Sequence, residues 1–196
     1  MDWKKLVEIL KGHKVYIQTH NYPDPDAMAS GLGLQVFLKQ HGVESTMCYD
    51  GKIEKLSTKR MLDVFQFEIY NIEDISDMSA TDYIVTVDAQ KFNANITDFI
   101  GNEVACIDHH PTFIQCEYQY KDIRLVGACA TLVAQYFKES GTPIDSNTAT
   151  ALLYGMKIDT DSWSRGVTLL DIQMFEYLFP YIDEEKMKLM NKSSME

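Results

Sequence analysis

Apolar residues recur along this chain in two alternating rhythms. Trp3, Leu6, Val7 and Leu10 fall at helical spacing and predict a first helix over about 2–11. The β-rich run KVYIQT follows at 14–19. DAMASGLGLQVFLKQHG (26–42) then returns to helical spacing and stops at Gly42. STMCYD (45–50) reads as a short strand, STKRMLDVFQF (57–67) as a helix, and EVACID (103–108) as a further strand. DYIVTVD (82–88) is a β-branched apolar run suited to a strand buried on both faces. GACATLVAQYFKES (127–140) and SNTATALLYGMKID (146–159) are helical in period, the first closed by Gly141 and the second opened by an Asp145 or Ser146 cap.

Strands alternating with helices predict an α/β domain with a parallel β-sheet flanked by helices on both faces. The expected domain spans 1–182. After LLDIQMFEYLFPYID the chain turns charged and then polar, so 183–196 is expected to be a short helix and linker with a frayed end at KSSME.

Composition narrows the classes. A hydrophobic content of 45% with 24% charged residues is that of a folded chain. MDWKKLVEILKGHK is too charged for a signal peptide, and no apolar run approaches the roughly 20 residues a membrane helix needs. A cytoplasmic location without membrane association is the expectation. Cys48, Cys106, Cys116 and Cys129 lack CxxC spacing and mostly adjoin apolar runs, as buried reduced thiols do. A net charge of −11 argues against long duplex nucleic acid as a partner and makes a cation a natural one.

Candidate chemistry collects at predicted strand ends, where the loops of a parallel sheet carry functional groups. His20, Asp24 and Asp26 follow the strand ending at Thr19; Asp88 ends YIVTV; Asp108, His109 and His110 end VACI. Each has a plainer account alone: Asp24 and Asp26 could cap the helix that begins near Ala27, Asp88 could close a turn, and the histidines could be surface residues before Pro111. Three successive strand ends carrying carboxylate or imidazole are harder to explain that way. Crowded like charges repel unless cations sit between them. Gly31 and Gly33 lack the third glycine of a dinucleotide fingerprint and suit close packing, and no GxxxxGK[ST] is present. Asp24-Pro25-Asp26 is not placed like the DxD of aspartyl-phosphate phosphatases, because HNYP separates it from the strand. Lys52, Lys55, Lys59 and Arg60 read as a solvated helix face.

HxxxDxD at 20–26, a strand-ending Asp88, DHH at 108–110 and a later aspartate in GMKIDTDSW together resemble the DHH phosphoesterase superfamily. That superfamily includes RecJ-like exonucleases, oligoribonucleases, cyclic-dinucleotide phosphodiesterases and manganese-dependent pyrophosphatases. The resemblance implies a centre of two divalent metal ions, Mn²⁺ ahead of Mg²⁺. His20 and Asp24 would hold one, Asp26, His109 and Asp159 the other, and Asp88 would bridge them. His110 would face the substrate phosphate and Asp108 would orient its neighbours, while Asp161 is passed over for Asp159. The implied activity is hydrolysis of a phosphodiester or phosphomonoester of a nucleotide or short oligonucleotide by metal-activated water. Alternatives are a metal- or nucleotide-binding regulatory module and a pyrophosphatase-like hydrolase. Family members often dimerise, so a homodimer is possible. Most have a C-terminal domain with a glycine- and histidine-rich motif, which this sequence lacks; the expectation is a catalytic domain whose second domain is absent from the chain.

Overall fold

The structure, a computed structural model, describes residues 1–193. In chain order α1 (Trp3–Leu10) leads to β1 (Val15–Gln18), α2 (Pro25–Gln40), β2 (Ser45–Tyr49), α3 (Leu56–Phe65) and β3 (Tyr70–Asn71). A short 3₁₀ turn (Ile72–Asp74) precedes β4 (Tyr83–Val87), β5 (Asn102–Asp108) and β6 (Tyr120–Ile123). The chain continues with α4 (Cys129–Ser140), α5 (Ser146–Asp159), α6 (Leu169–Leu178), a second 3₁₀ turn (Phe179–Tyr181) and α7 (Glu184–Ser193).

The strands form one parallel sheet in the order β3-β2-β1-β4-β5-β6. β1 and β4 pair from Val15↔Tyr83 to Gln18↔Thr86 at the point where the order reverses. Connections leave β1 towards one edge of the sheet and β4 towards the other, so the loops after these two strands part and open a crevice at their carboxyl ends.

The parallel sheet flanked by helices expected from the alternation is present. Alternate residues of β1, β2 and β4 enter different clusters, as a period of two requires. Val15, Ile17, Met47, Val85 and Val87 join the large core built with the helices, whereas Tyr16, Cys48 and Ile84 join Phe99 in a smaller one. Ile72, Ile75 and Met78 pack against that second cluster from the 3₁₀ turn and the segment after it.

α2 is the central helix. It is buried almost all round from Pro25 to Leu34, which explains its lack of a polar stripe: it lies against the sheet, α4 and α5. Gly31 and Gly33 face Met47 and the Leu152–Val133 pair. Gly155 of α5 sits where a Cβ would lie 2.8 Å from the Ala29 Cβ and 3.3 Å from the Asp26 Cα, so the two helices cross with nothing between their backbones.

Helix ends follow local chemistry. Asp145 caps α5 through the Thr148 amide at 2.8 Å, and Gly141 closes α4 at φ +66°. α3 stops at Phe65, two residues before the expected Phe67, because Gln66 turns left-handed at φ +55°. β3 and β6 carry too little pattern to be predicted: β3 has two residues, and β6 alternates only Tyr120 and Asp122 inwards. α7 lies against α3 and α5 with Met190 buried. The frayed end expected at KSSME falls largely outside the described residues.

Candidate metal centre

The crevice between β1 and β4 gathers the ionisable residues. Past β1, Pro23 and Pro25 bracket Asp24, the N-cap of α2, whose Oδ1 accepts from the Ala27 amide at 2.9 Å. Its Oδ2 remains 3.5 Å from His20 Nε2. His20 Nδ1 donates to the Asn21 carbonyl at 2.8 Å, which turns Nε2 inwards. Asp24 is thus a cap and a site residue at once.

Asp88 follows β4 at φ +60°, in the left-handed region an aspartate tolerates better than most residues. It is 1% exposed. One carboxylate oxygen lies 3.5 Å from His20 Nε2 and the other 3.2 Å from His109 Nε2. The carboxylate therefore stands between two groups, His20 with Asp24 and His109 with Asp26 and Asp159.

In the second group His109 Nε2 is 3.5 Å from Asp26 Oδ2 and 3.3 Å from Asp159 Oδ2. His109 Nδ1 donates to the Val126 carbonyl at 2.9 Å. Asp26 does not cap its own helix. Its oxygens accept from the Cys129 and Ala130 amides at 2.8 and 2.9 Å, capping α4, whose N-cap Ala128 has no side chain able to do so. Asp159 ends α5, and Asp161 lies exposed beyond it, outside the clusters.

His110 stands at the rim, about half exposed. Its Nδ1 donates to buried Asp108 at 2.7 Å, and Gln90 Nε2 donates to the other Asp108 oxygen at 2.8 Å. A cleft of about 420 Å³ runs outward from His110 between Asn93, Asn95, Pro111, Phe113 and Ile114.

The DHH family N-terminal domain matches residues 14–156. The chain belongs to the DHH family. It is 35% identical over 168 residues to an uncharacterized protein of Methanocaldococcus jannaschii, covering 85% of this chain and 34% of that one. To the probable manganese-dependent inorganic pyrophosphatase of Streptococcus thermophilus it is 27% identical over 150 residues, covering 75% of this chain and 48% of the relative. An exopolyphosphatase-related protein of Bacteroides fragilis shares the fold, with a TM-score of 0.76 at 19% identity over 96% of this chain and 58% of that one. The chain spans between a third and a half of the length of the two curated relatives.

In this DHH domain the donor set fits divalent cations. Oxygen-rich sites with a few imidazoles suit Mn²⁺ or Mg²⁺. Asp88 Oδ1 and His109 Nε2 are both buried without a hydrogen-bond partner, although only 3.2 Å apart. Orphaned buried polar atoms of this kind are costly, and a cation between them would satisfy both.

The electrostatics carry the same sign. Burial pulls the His20 imidazole down, but Asp24 and Asp88 outweigh it and lift it to about 11. His109 is likewise opposed by burial and lifted to about 10, chiefly by Asp88 and Asp26. Burial pushes Asp159 up to about 6 and, with the Asp88 charge, pushes Asp26 well above the carboxylate range. The raised pKa values of His20, His109, Asp26 and Asp159 mean that the crowded carboxylates favour added positive charge among them.

Three contributors escaped the sequence reading. Gln90 fixes Asp108; Val126 fixes His109 through a backbone carbonyl; exposed Arg165 donates to the Asp159 carbonyl at 2.9 Å from beyond a left-handed run at Asp161, Ser162 and Trp163. The first two act through atoms or contacts that no local pattern marks. Arg165 alone had a signal: a basic residue shortly after the last aspartate motif.

Proposed function

We propose that this chain carries the centre of a two-metal phosphoesterase that hydrolyses a phosphate ester of a nucleotide or short oligonucleotide. The observation that carries this reading is Asp88, a buried carboxylate whose two oxygens face separate histidine–carboxylate groups. In it His20 and Asp24 would hold one cation, Asp26, His109 and Asp159 the other, and Asp88 would contribute to both, with Mn²⁺ preferred over Mg²⁺. Bound divalent cations in such a pair supply Lewis acidity and make water nucleophilic near neutral pH.

The protein's own groups have defined tasks in this mechanism. Backbone carbonyls of Asn21 and Val126 hold each imidazole with Nε2 free for a cation. His110, held through Nδ1 by Asp108, presents its outer edge to the phosphoryl group or the leaving oxygen. Asp108 raises the His110 pKa despite the opposing effect of burial, which favours the protonated ring as donor. Arg165 supplies a cation for a phosphate oxygen near Asp159.

The cleft beside His110 supports an organic leaving group. Apart from that histidine its lining is uncharged, with the Phe113 ring 82% exposed and two asparagine amides. Such a surface suits a stacked base better than a second phosphate. Likeness to the streptococcal pyrophosphatase favours a second reading, hydrolysis of inorganic pyrophosphate. The two separate by assay of a short oligonucleotide, an aryl phosphodiester and pyrophosphate with Mn²⁺. Asp88→Asn is expected to abolish turnover and at least one metal-binding step; retention of both would end the proposal, and turnover of pyrophosphate alone would replace its substrate.

A further inference from the structure

Asp171 of α6 is fully buried and touches none of the site residues, yet three lines of contact, two of them through Gly127 and one through Thr131, lead from it to the same half of the centre. Its Oδ2 accepts from the Gly127 amide at 2.9 Å and from the Thr168 amide and hydroxyl, both at 2.7 Å; its Oδ1 accepts from the Thr131 hydroxyl at 2.5 Å. The bond from the Thr168 amide, with the Thr168 side chain accepting from the Asp171 amide, forms a capping box for α6, which is the ordinary use of such a residue. The bonds to Gly127 and Thr131 serve no helix end of α6.

They fix the chain from Val126 into the first turn of α4, whose backbone groups bond two of the candidate ligands, His109 and Asp26. The Val126 carbonyl, adjacent to Gly127, receives His109 Nδ1 at 2.9 Å. The Cys129 and Ala130 amides, just before Thr131, receive the Asp26 carboxylate. The third line runs through packing: a Cβ on Gly127 would lie 2.7 Å from the Thr160 Cγ2 and 2.9 Å from the Asp171 Cγ. Thr160 is buried and follows Asp159, so the close seat that glycine allows also locates the end of α5. His20 and Asp24 have no such link to Asp171; their loop is held on the other side, where Thr97 bonds to Asn21 and to Asp50.

We infer that Asp171 is a positioning residue for one metal position only, that of Asp26, His109 and Asp159, acting through the Val126–Thr131 segment. This rests on the two-metal reading above. A charge buried among four donors holds its partners rigidly, and loss of such outer support at metal sites lowers affinity by roughly 10–100-fold.

The test is a calorimetric Mn²⁺ titration of the whole chain, with the two binding steps assigned by His20→Asn and Asp159→Asn. Asp171→Asn and Thr131→Val are each expected to raise the Kd of the Asp159-dependent step roughly tenfold or more and to leave the His20-dependent step unchanged. Leu178→Ala, a cavity in the same helix that touches none of these bonds, controls for destabilisation: its Tm falls while both Kd values hold. If wild type binds no Mn²⁺, the two-metal reading is what fails. If wild type binds two ions and both variants match it, or lose the two steps equally, the positioning role is overturned. Should Asp171→Asn not fold, Thr131→Val decides alone.

Discussion

At the scale of single residues, His110 shows how one neighbour sets a function. Its ring is half exposed, and Asp108, which is wholly buried and accepts its Nδ1 proton, raises its pKa against the opposing effects of burial and of His109. If His110 donates a proton in the reaction, activity falls as pH rises through its pKa, and removing the Asp108 charge lowers that pKa. Asp108→Asn should therefore move the alkaline limb of the kcat/KM profile to lower pH while the shape of the site is kept. A limb that stays in place in this variant would remove His110 as the acid. Gln90 belongs to the same unit: it bonds Asp108 and the His110 carbonyl, so the rim histidine is fixed at both ring and backbone.

At the scale of elements, the crossing of α2 and α5 sets the spacing of Asp26 and Asp159. Gly155→Ala would place a methyl group 2.8 Å from the Ala29 Cβ and 3.3 Å from the backbone of Asp26 itself. The helices must part, at a cost of about 1–3 kcal/mol for overpacking. Chemical denaturation should show that loss, and Mn²⁺ titration should show weaker binding, because the two carboxylates sit on the elements pushed apart. Stability loss with intact affinity would mean that the carboxylates reach their positions independently of the crossing. Much of this was legible in the sequence: the periodicity located α2 and α5, and the strand-end rule located His20, Asp88 and His109. The rest was not, for a physical reason. Asp26 capping α4 is a contact between residues 103 and 104 positions apart, and Val126 contributes only a carbonyl. Sequence patterns report which face is apolar, not which backbone group a distant side chain will meet.

At the scale of the whole molecule, a chain of net charge −11 brings acidic residues from three separate segments into the crevice where the strand order reverses. Without cations it holds the centre together with protons, and the sign of that effect can be followed with pH. His20 and His109 have folded pKa values of about 11 and 10, above an unfolded value of about 6.5. Their contribution is complete below the unfolded value and is lost as pH rises through the folded ones. Asp159, raised to about 6, and Asp26, raised by burial, act in the same direction, since each favours the fold only while protonated. The metal-free protein should therefore lose stability as pH rises. Metal binding requires these groups deprotonated, so it releases protons and strengthens with pH. At Mn²⁺ one hundred times Kd, each site adds about 2.7 kcal/mol, which is roughly 5–11 °C in Tm for a chain of this size. At one fixed Mn²⁺ concentration, scanning calorimetry against a chelator control should show the metal's contribution growing from about pH 6 to about pH 9, because Kd falls as the ligands deprotonate. A constant or shrinking increment would mean that the histidines do not give up protons to the metal, and would separate the imidazoles from metal binding even if the carboxylates bind it.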